Sequence, residues 1–139
     1  MVQLIIGDKG KGKTTHLLDL VEKNLDKATG NCVYVDKSTK HMYDLNRKVR
    51  LVNSTEYPLN NKFEFMGFIC GMVSQDNDLE YVYFDNFMVL ANMTIDDLEG
   101  AILKLDEIGN QFDVKFIATV SATRDQISSK IEKFVTTEL

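Results

Sequence analysis

The chain has 139 residues, 44% of them hydrophobic and 27% charged, the size and composition of one globular domain able to bury a core. Its net charge of −5 argues against a domain built to coat nucleic acid, which needs clustered Lys and Arg. No apolar run reaches membrane-spanning length, and Cys32 and Cys70 lie in apolar segments without metal-ligand spacing.

Val2 to Ile6 predicts a short apolar strand. Directly after it, Gly7-Asp8-Lys9-Gly10-Lys11-Gly12-Lys13-Thr14 fills every fixed position of G-x-x-x-x-G-K-[ST]. Thr14 to Lys27 then predicts a helix, with Leu17, Leu18, Leu20, Val21 and Leu25 as its apolar stripe. Strand, loop and helix in that order are the context such a loop needs. Its glycines let successive N–H groups converge on phosphate oxygens at a helix N-terminus, whose partial positive charge favours an anion. Gly7 through Thr14, with Thr15 beside them, are the candidate phosphate-binding residues. Lys13 would reach the β- and γ-phosphates and the Thr14 hydroxyl would hold Mg²⁺. A nucleoside triphosphate is the expected ligand, with Mg²⁺ as its metal.

Gly30 is placed as a helix stop, and 31–35 predicts the second strand. Lys37, Lys40, His41, Arg47, Lys48 and Arg50 form a basic run against Asp44 alone, read as a solvated face of a helix over 38–47 with a partner site as the alternative. A strand over 49–52 follows, then a loop marked by Pro58, Asn60 and Asn61. Phe63, Phe65, Met66, Phe68, Ile69, Met72 and Val73 fit a core-facing helix over 61–74. Glu80 to Phe84 predicts a strand that delivers Asp85 to its C-terminal edge, where ligands of parallel sheets bind. Asp85 is the candidate second metal residue, acting with Thr14. Thr94 caps a helix over 95–111, with Asp97 at the capping-box position. A strand over 114–120 and a helix over 126–134 complete the pattern. Apolar strands alternating with helices mean a mainly parallel five-stranded sheet covered on both faces, a three-layer αβα sandwich in a single domain spanning 1–139. The early first strand leaves no room for a signal peptide, so a cytoplasmic protein with reduced cysteines is expected, a disulfide being left open.

The loop, Asp85 and the element order together resemble the RecA-like P-loop ATPases, the superfamily of recombinases and replicative helicases. Residues 31–36 are similar to the second core strand of that family, which ends in a catalytic acid. Residues 61–85 are similar to its helix and Walker B strand, and 97–121 to its next helix and sensor strand. Many ATPases place Glu directly after the Walker B Asp, to orient the attacking water, whereas this chain has Asn86. The resemblance implies that the acid comes from the adjacent strand, which makes Asp36 the third catalytic candidate with Lys13 and Asp85. A simple turn start is the other reading of Asp36. Asp is a methylene shorter than Glu, and a displacement of about 1 Å can cost ~100-fold in rate. Ser121 or Thr123 would take the sensor position. Arg124 would sense the γ-phosphate or reach a neighbouring subunit, unless it is a plain surface arginine.

Other P-loop classes match less well. Partition-type ATPases carry Lys where this chain has Asp8, and GTPases need Asn-Lys-x-Asp after a strand, which neither Asn61-Lys62-Phe63-Glu64 nor Asp97-Leu98-Glu99-Gly100 supplies. Nucleotide kinases use an arginine-rich lid, and the arginines here are Arg47, Arg50 and Arg124 alone. The expected function is Mg²⁺-dependent ATP binding with slow or partner-stimulated hydrolysis, as a switch or a subunit of an assembly with a protein partner or further copies of itself. The alternatives are a small-molecule kinase with its acceptor near 54–62 or 86–93, and a module that binds nucleotide without turnover. Nucleic acid is not supported as a partner by the net charge, and no membrane is expected.

Overall fold

The computed structural model describes residues 1–139. Runs such as Val2-Gln3-Leu4-Ile5-Ile6 and Tyr81-Val82-Tyr83-Phe84 are apolar on both sides of the pleat, and such strands are stable only with both faces covered. They form a six-stranded, all-parallel sheet. The strands are β1 (Val2–Gly7), β2 (Asn31–Asp36), β3 (Val49–Asn53), β4 (Leu79–Phe84), β5 (Lys115–Ser121) and β6 (Val135–Glu138), in the order β3-β2-β4-β5-β1-β6. Four helices accompany them: α1 (Lys13–Leu25), α2 (Lys62–Ser74), α3 (Phe87–Leu90) and α4 (Ile95–Phe112).

Alternation along each strand divides the core in two. Val33, Val35, Val82, Phe84, Phe116 and Ala118 pack with Phe65 and Ile69 of α2, Phe87 of α3, and Leu98 and Ile102 of α4. Cys32, Tyr34, Tyr81, Tyr83 and Ile117 pack with Leu17 and Val21 of α1. The result is an α/β fold compatible with a three-layer sandwich.

Local chemistry sets the element ends. Asn61 Oδ1 accepts from Glu64 N at 2.9 Å, and Glu64 Oε1 accepts from Asn60 N at 2.7 Å, closing the start of α2. Asp97 Oδ2 accepts from Thr94 N at 3.2 Å at the start of α4. Asp97 also pairs with Lys62 Nζ at 2.7 Å, which joins the two helices. Gly30 serves close approach rather than helix termination: a side chain there would collide with the Asp78 carbonyl.

Beyond Gly30, the structure differs from the sequence reading in three places. The sheet has six strands rather than five, because 126–134 is not a helix. That segment holds short 3₁₀ turns at Arg124–Gln126 and Glu132–Phe134, and β6 follows beside β1. Ile127 and Ile131 are its buried anchors, too few for an amphipathic stripe, while Val135, Thr136 and Thr137 are β-branched and favour a strand. The span 38–47 forms turns, where Lys40 N donates to Ser38 Oγ at 3.4 Å and the next Asx turn has Lys48 N donating to Asn46 Oδ1 at 2.9 Å. Such local bonds compete with helix, and Leu45 packs against the core from a bend. Of the aromatic and methionine set of α2, Phe65, Ile69 and Val73 are fully buried but Phe63 is 75% exposed, because it falls on the helix face turned from the sheet. Both cysteines are free, Cys32 buried and Cys70 exposed. No helix is long and apolar enough to cross a membrane.

Candidate functional site

At the C-terminal edge of the sheet the strand parity that builds the α1-side core continues one position further. Asp36 follows Tyr34 on that face, Asp85 follows Tyr83, and Thr119 and Ser121 follow Ile117. The loop from Gly7 to Gly12 joins the end of β1 to the start of α1. Together these segments enclose a cavity of about 270 Å³ with no hydrophobic residue in its lining.

The loop has the backbone that its glycines permit. Gly10 and Gly12 lie in the left-handed region, at φ 85° and 88°, where an L side chain is disfavoured. Gly12 is the N-cap of α1 and offers no side-chain acceptor, so the first N–H groups of the helix are left for an external partner. Lys13, only 8% exposed, donates from Nζ to the Asp8 carbonyl at 2.9 Å. Burial lowers its pKa, against the opposing charges of Asp8 and Asp85.

Thr14 and Asp85 meet directly: the Thr14 hydroxyl donates to Asp85 Oδ1 at 3.0 Å. Tyr34 Oη donates to Asp85 Oδ2 at 2.9 Å, and Thr119 Oγ1 lies 3.4 Å from Oδ1. Thr119 also accepts from Asn86 N at 2.7 Å. The backbone joins in, with Asp85 N donating to the Val35 carbonyl at 3.1 Å.

Asp36 ends β2, which adjoins β4 through the pairs Tyr34↔Tyr83 and Val35↔Phe84. Its side chain is 3% exposed and lines the cavity. Lys37 N donates to Oδ1 at 2.7 Å, while Oδ2 is buried with no partner. Burial raises the Asp36 pKa; the Lys37 amide opposes this, the Asp85 charge adds to it, and His41 and Lys40 oppose it again.

The expected residues fall into two groups. Lys9, Gly10, Gly12, Lys13, Thr14 and Thr15 line the cavity with Asp36 and Asp85. Gly7, Asp8 and Lys11 form its frame: the Asp8 carbonyl accepts from Lys11 N at 3.3 Å as well as from Lys13, and Gly7 packs on Leu139. Ser121 lines the cavity. Thr123 instead caps a turn, its amide donating to Gln126 Oε1 at 2.9 Å. Arg124 is held by Glu138 at 2.9 Å and Glu132 at 3.4 Å. Four contributors were not foreseen. Tyr34 and Thr119 hold Asp85, and Lys37 and Lys40 of the basic run line the cavity. The parity of β2 and β5 relative to Asp36 and Ser121 was the available signal for the first two.

The arrangement joins a backbone concavity at a helix N-terminus, a desolvated lysine, and a hydroxyl–carboxylate pair suited to a hard divalent cation. No protein-family profile matches the chain, and no curated protein matches it.

Proposed function

We propose that this protein binds Mg-ATP at the Gly7–Thr15 loop and hydrolyses it slowly, as a switch or as one subunit of an assembly. The observation that carries the reading is the 3.0 Å contact of Thr14 with Asp85, which puts the hydroxyl after the loop lysine against the acid after β4. Oxygen donors of that kind fit Mg²⁺, which takes few protein ligands and keeps several waters. When bound, the ion would neutralise phosphate charge. The protein's own part is to cradle the phosphates with loop amides and to place Lys13, whose burial strengthens its attraction to an anion.

Asp36 is the acid available to orient a water, because Asn86 has no carboxylate to do so. Burial favours proton uptake by Asp36, the direction a general base needs. Its short side chain and the missing Glu after Asp85 support slow turnover. The adjoining of β2 and β4 agrees with the RecA-like arrangement and supports that finer reading of the fold. A protein partner or further copies of the chain would then supply whatever accelerates hydrolysis, and the cytoplasm is the compartment that fits free thiols.

One feature favours a second reading, a small-molecule kinase. A larger cavity of about 720 Å³ is lined by Met88, Val89, Asn92 and Met93 and shares Lys9, Lys37, Asn86 and Ser121 with the first. An acceptor seated there would face the phosphates.

Phosphate release from ATP, measured alone, with DNA, with RNA and with candidate acceptors, distinguishes these readings. Slow release to water supports the ATPase. Transfer to an acceptor supports the kinase, and binding without release leaves a nucleotide-binding module. No binding at all in millimolar Mg-ATP removes the proposal.

A further inference from the structure

The lone oxygen of Asp36 needs an account. A buried carboxylate oxygen without a donor bears the full desolvation cost of a charged group. Asp36 Oδ2 is in that position, on a side chain that lines the cavity. One ligand atom each of Asp36, Asp85 and His41 lie within 4.8 Å of one another. Two atoms on one ion at about 2.0–2.2 Å stand no more than about 4.4 Å apart, so a small closure brings all three onto a shared cation.

The contact that His41 makes with Asp44 suits such a role. Its Nδ1 lies 2.9 Å from Asp44 Oδ2. With Nδ1–H donating to that carboxylate, Nε2 keeps a free lone pair. A carboxylate behind an imidazole in this way is the arrangement that fixes the tautomer of metal-binding histidines. Asp85 also has capacity left, since Thr14, Thr119 and Tyr34 occupy three positions on a group with about four acceptor sites. Lys13, Lys37 and Lys40 border the cavity and work against a cation, so specific ligation, not net charge, must hold it.

We propose that Asp36, Asp85 and His41 form a site for one first-row divalent transition ion, of the Zn²⁺ or Co²⁺ type, with Asp44 orienting His41. The site fills without nucleotide and goes beyond the reading above, in which Mg²⁺ sits with Thr14 and Asp85. The imidazole provides the discrimination: nitrogen suits Zn²⁺ and its neighbours, whereas Mg²⁺ demands oxygen and binds this set weakly.

The test is a titration of nucleotide-free protein with Co²⁺, followed by visible absorption, and equilibrium dialysis with Zn²⁺, both in excess Mg²⁺. One ion per chain is expected. His41→Ala and Asp36→Asn should each weaken binding at least tenfold, and Asp44→Asn by about 10–100-fold through loss of the orienting bond. His41 lies on a turn outside the core, and a circular dichroism spectrum of each variant establishes that it folds. Unchanged affinity in His41→Ala overturns the proposal. So does a loss of binding in His16→Ala or Cys70→Ser rather than in His41→Ala, or displacement of the ion by an equimolar amount of Mg²⁺. A fluorescent ATP analogue in Mg²⁺, titrated into wild-type protein free of transition ions, reports the phosphate loop separately. Cobalt binding without analogue binding sinks the nucleotide reading alone, and the reverse result sinks the metal site alone.

Discussion

Tyr34 Oη donates to Asp85 Oδ2 at 2.9 Å, so the acid that follows β4 is fixed by a residue of the neighbouring strand β2. Burial and the nearby Asp85 charge hold the Tyr34 phenol far above its ordinary pKa, so it stays a donor throughout the working range of pH. The opposite oxygen of Asp85 is left to Thr14 and Thr119. Tyr34→Phe removes one hydrogen bond to a charged group, worth about 1.5–3 kcal/mol. The midpoint of urea unfolding should fall accordingly, with an unchanged denaturant slope. A midpoint equal to that of the wild type would mean that Asp85 does not depend on this contact.

Mg-ATP should stabilise the wild type, and Lys13→Ala should abolish the effect. Saturation at a hundred times the dissociation constant adds about 2.7 kcal/mol, and each kcal/mol raises the melting temperature of a domain of this size by about 2–8 °C. A melting curve unmoved by millimolar Mg-ATP would count against nucleotide binding altogether.

Asp85→Asn tests the metal position. The amide keeps the shape of the side chain but loses the charge that attracts Mg²⁺. Nucleotide binding measured with Mg²⁺ should weaken, while binding in EDTA should change little. Equal losses in both conditions would take Asp85 out of the metal site.

Asp36 gives a pH dependence whose sign is fixed by its raised pKa. The folded protein holds this proton more tightly than the unfolded chain, so the stabilising contribution is complete below the unfolded carboxylate value of about 3.9 and is lost as pH rises through the higher folded value. Asp36→Asn removes that loss and retains an acceptor for Lys37 N. The variant should therefore be more stable than the wild type at neutral pH, with the gap opening upward from about pH 4. Urea midpoints across pH, compared for the two proteins without added metal, check this; parallel profiles would contradict it.

Hydrolysis provides the remaining test. If Asp36 orients the attacking water, Asp36→Asn should lower phosphate release with little change in ATP affinity, and Asp36→Glu should raise it by restoring a methylene of reach. Release that is indifferent to both substitutions would move the catalytic role elsewhere.

The parts of the site read most directly from sequence are those whose residues are contiguous. Gly7 to Thr15 contain their own geometry, since the glycines, the lysine and the helix start occur in one run. Asp85 was legible because four large apolar residues precede it and a strand must end there. Tyr34 and Thr119 are different. Their role depends on which strands become neighbours and in what register, and that is decided by packing of the two faces. His41 was obscured by the charges around it, which gave the impression of a helix face where local side-chain bonds instead produce turns. The C-terminal strand was missed for a related reason: β6 is four residues long, and its pairing with β1 outweighs any pattern it carries by itself.

That short strand bears on how the molecule is made. β1 leads into the glycine-rich loop, yet its sheet partners are β5, through Val2↔Phe116 to Gly7↔Ser121, and β6, through Leu4↔Val135 to Ile6↔Glu138. Both lie far down the chain, so closing these contacts demands loops of the longest kind and is slow. During synthesis the loop sequence precedes β5 and β6, and β1 has no sheet partner until they follow. The most local motif in the chain thus depends on its least local contacts, because the strand that leads into the loop is paired only with segments more than a hundred residues away.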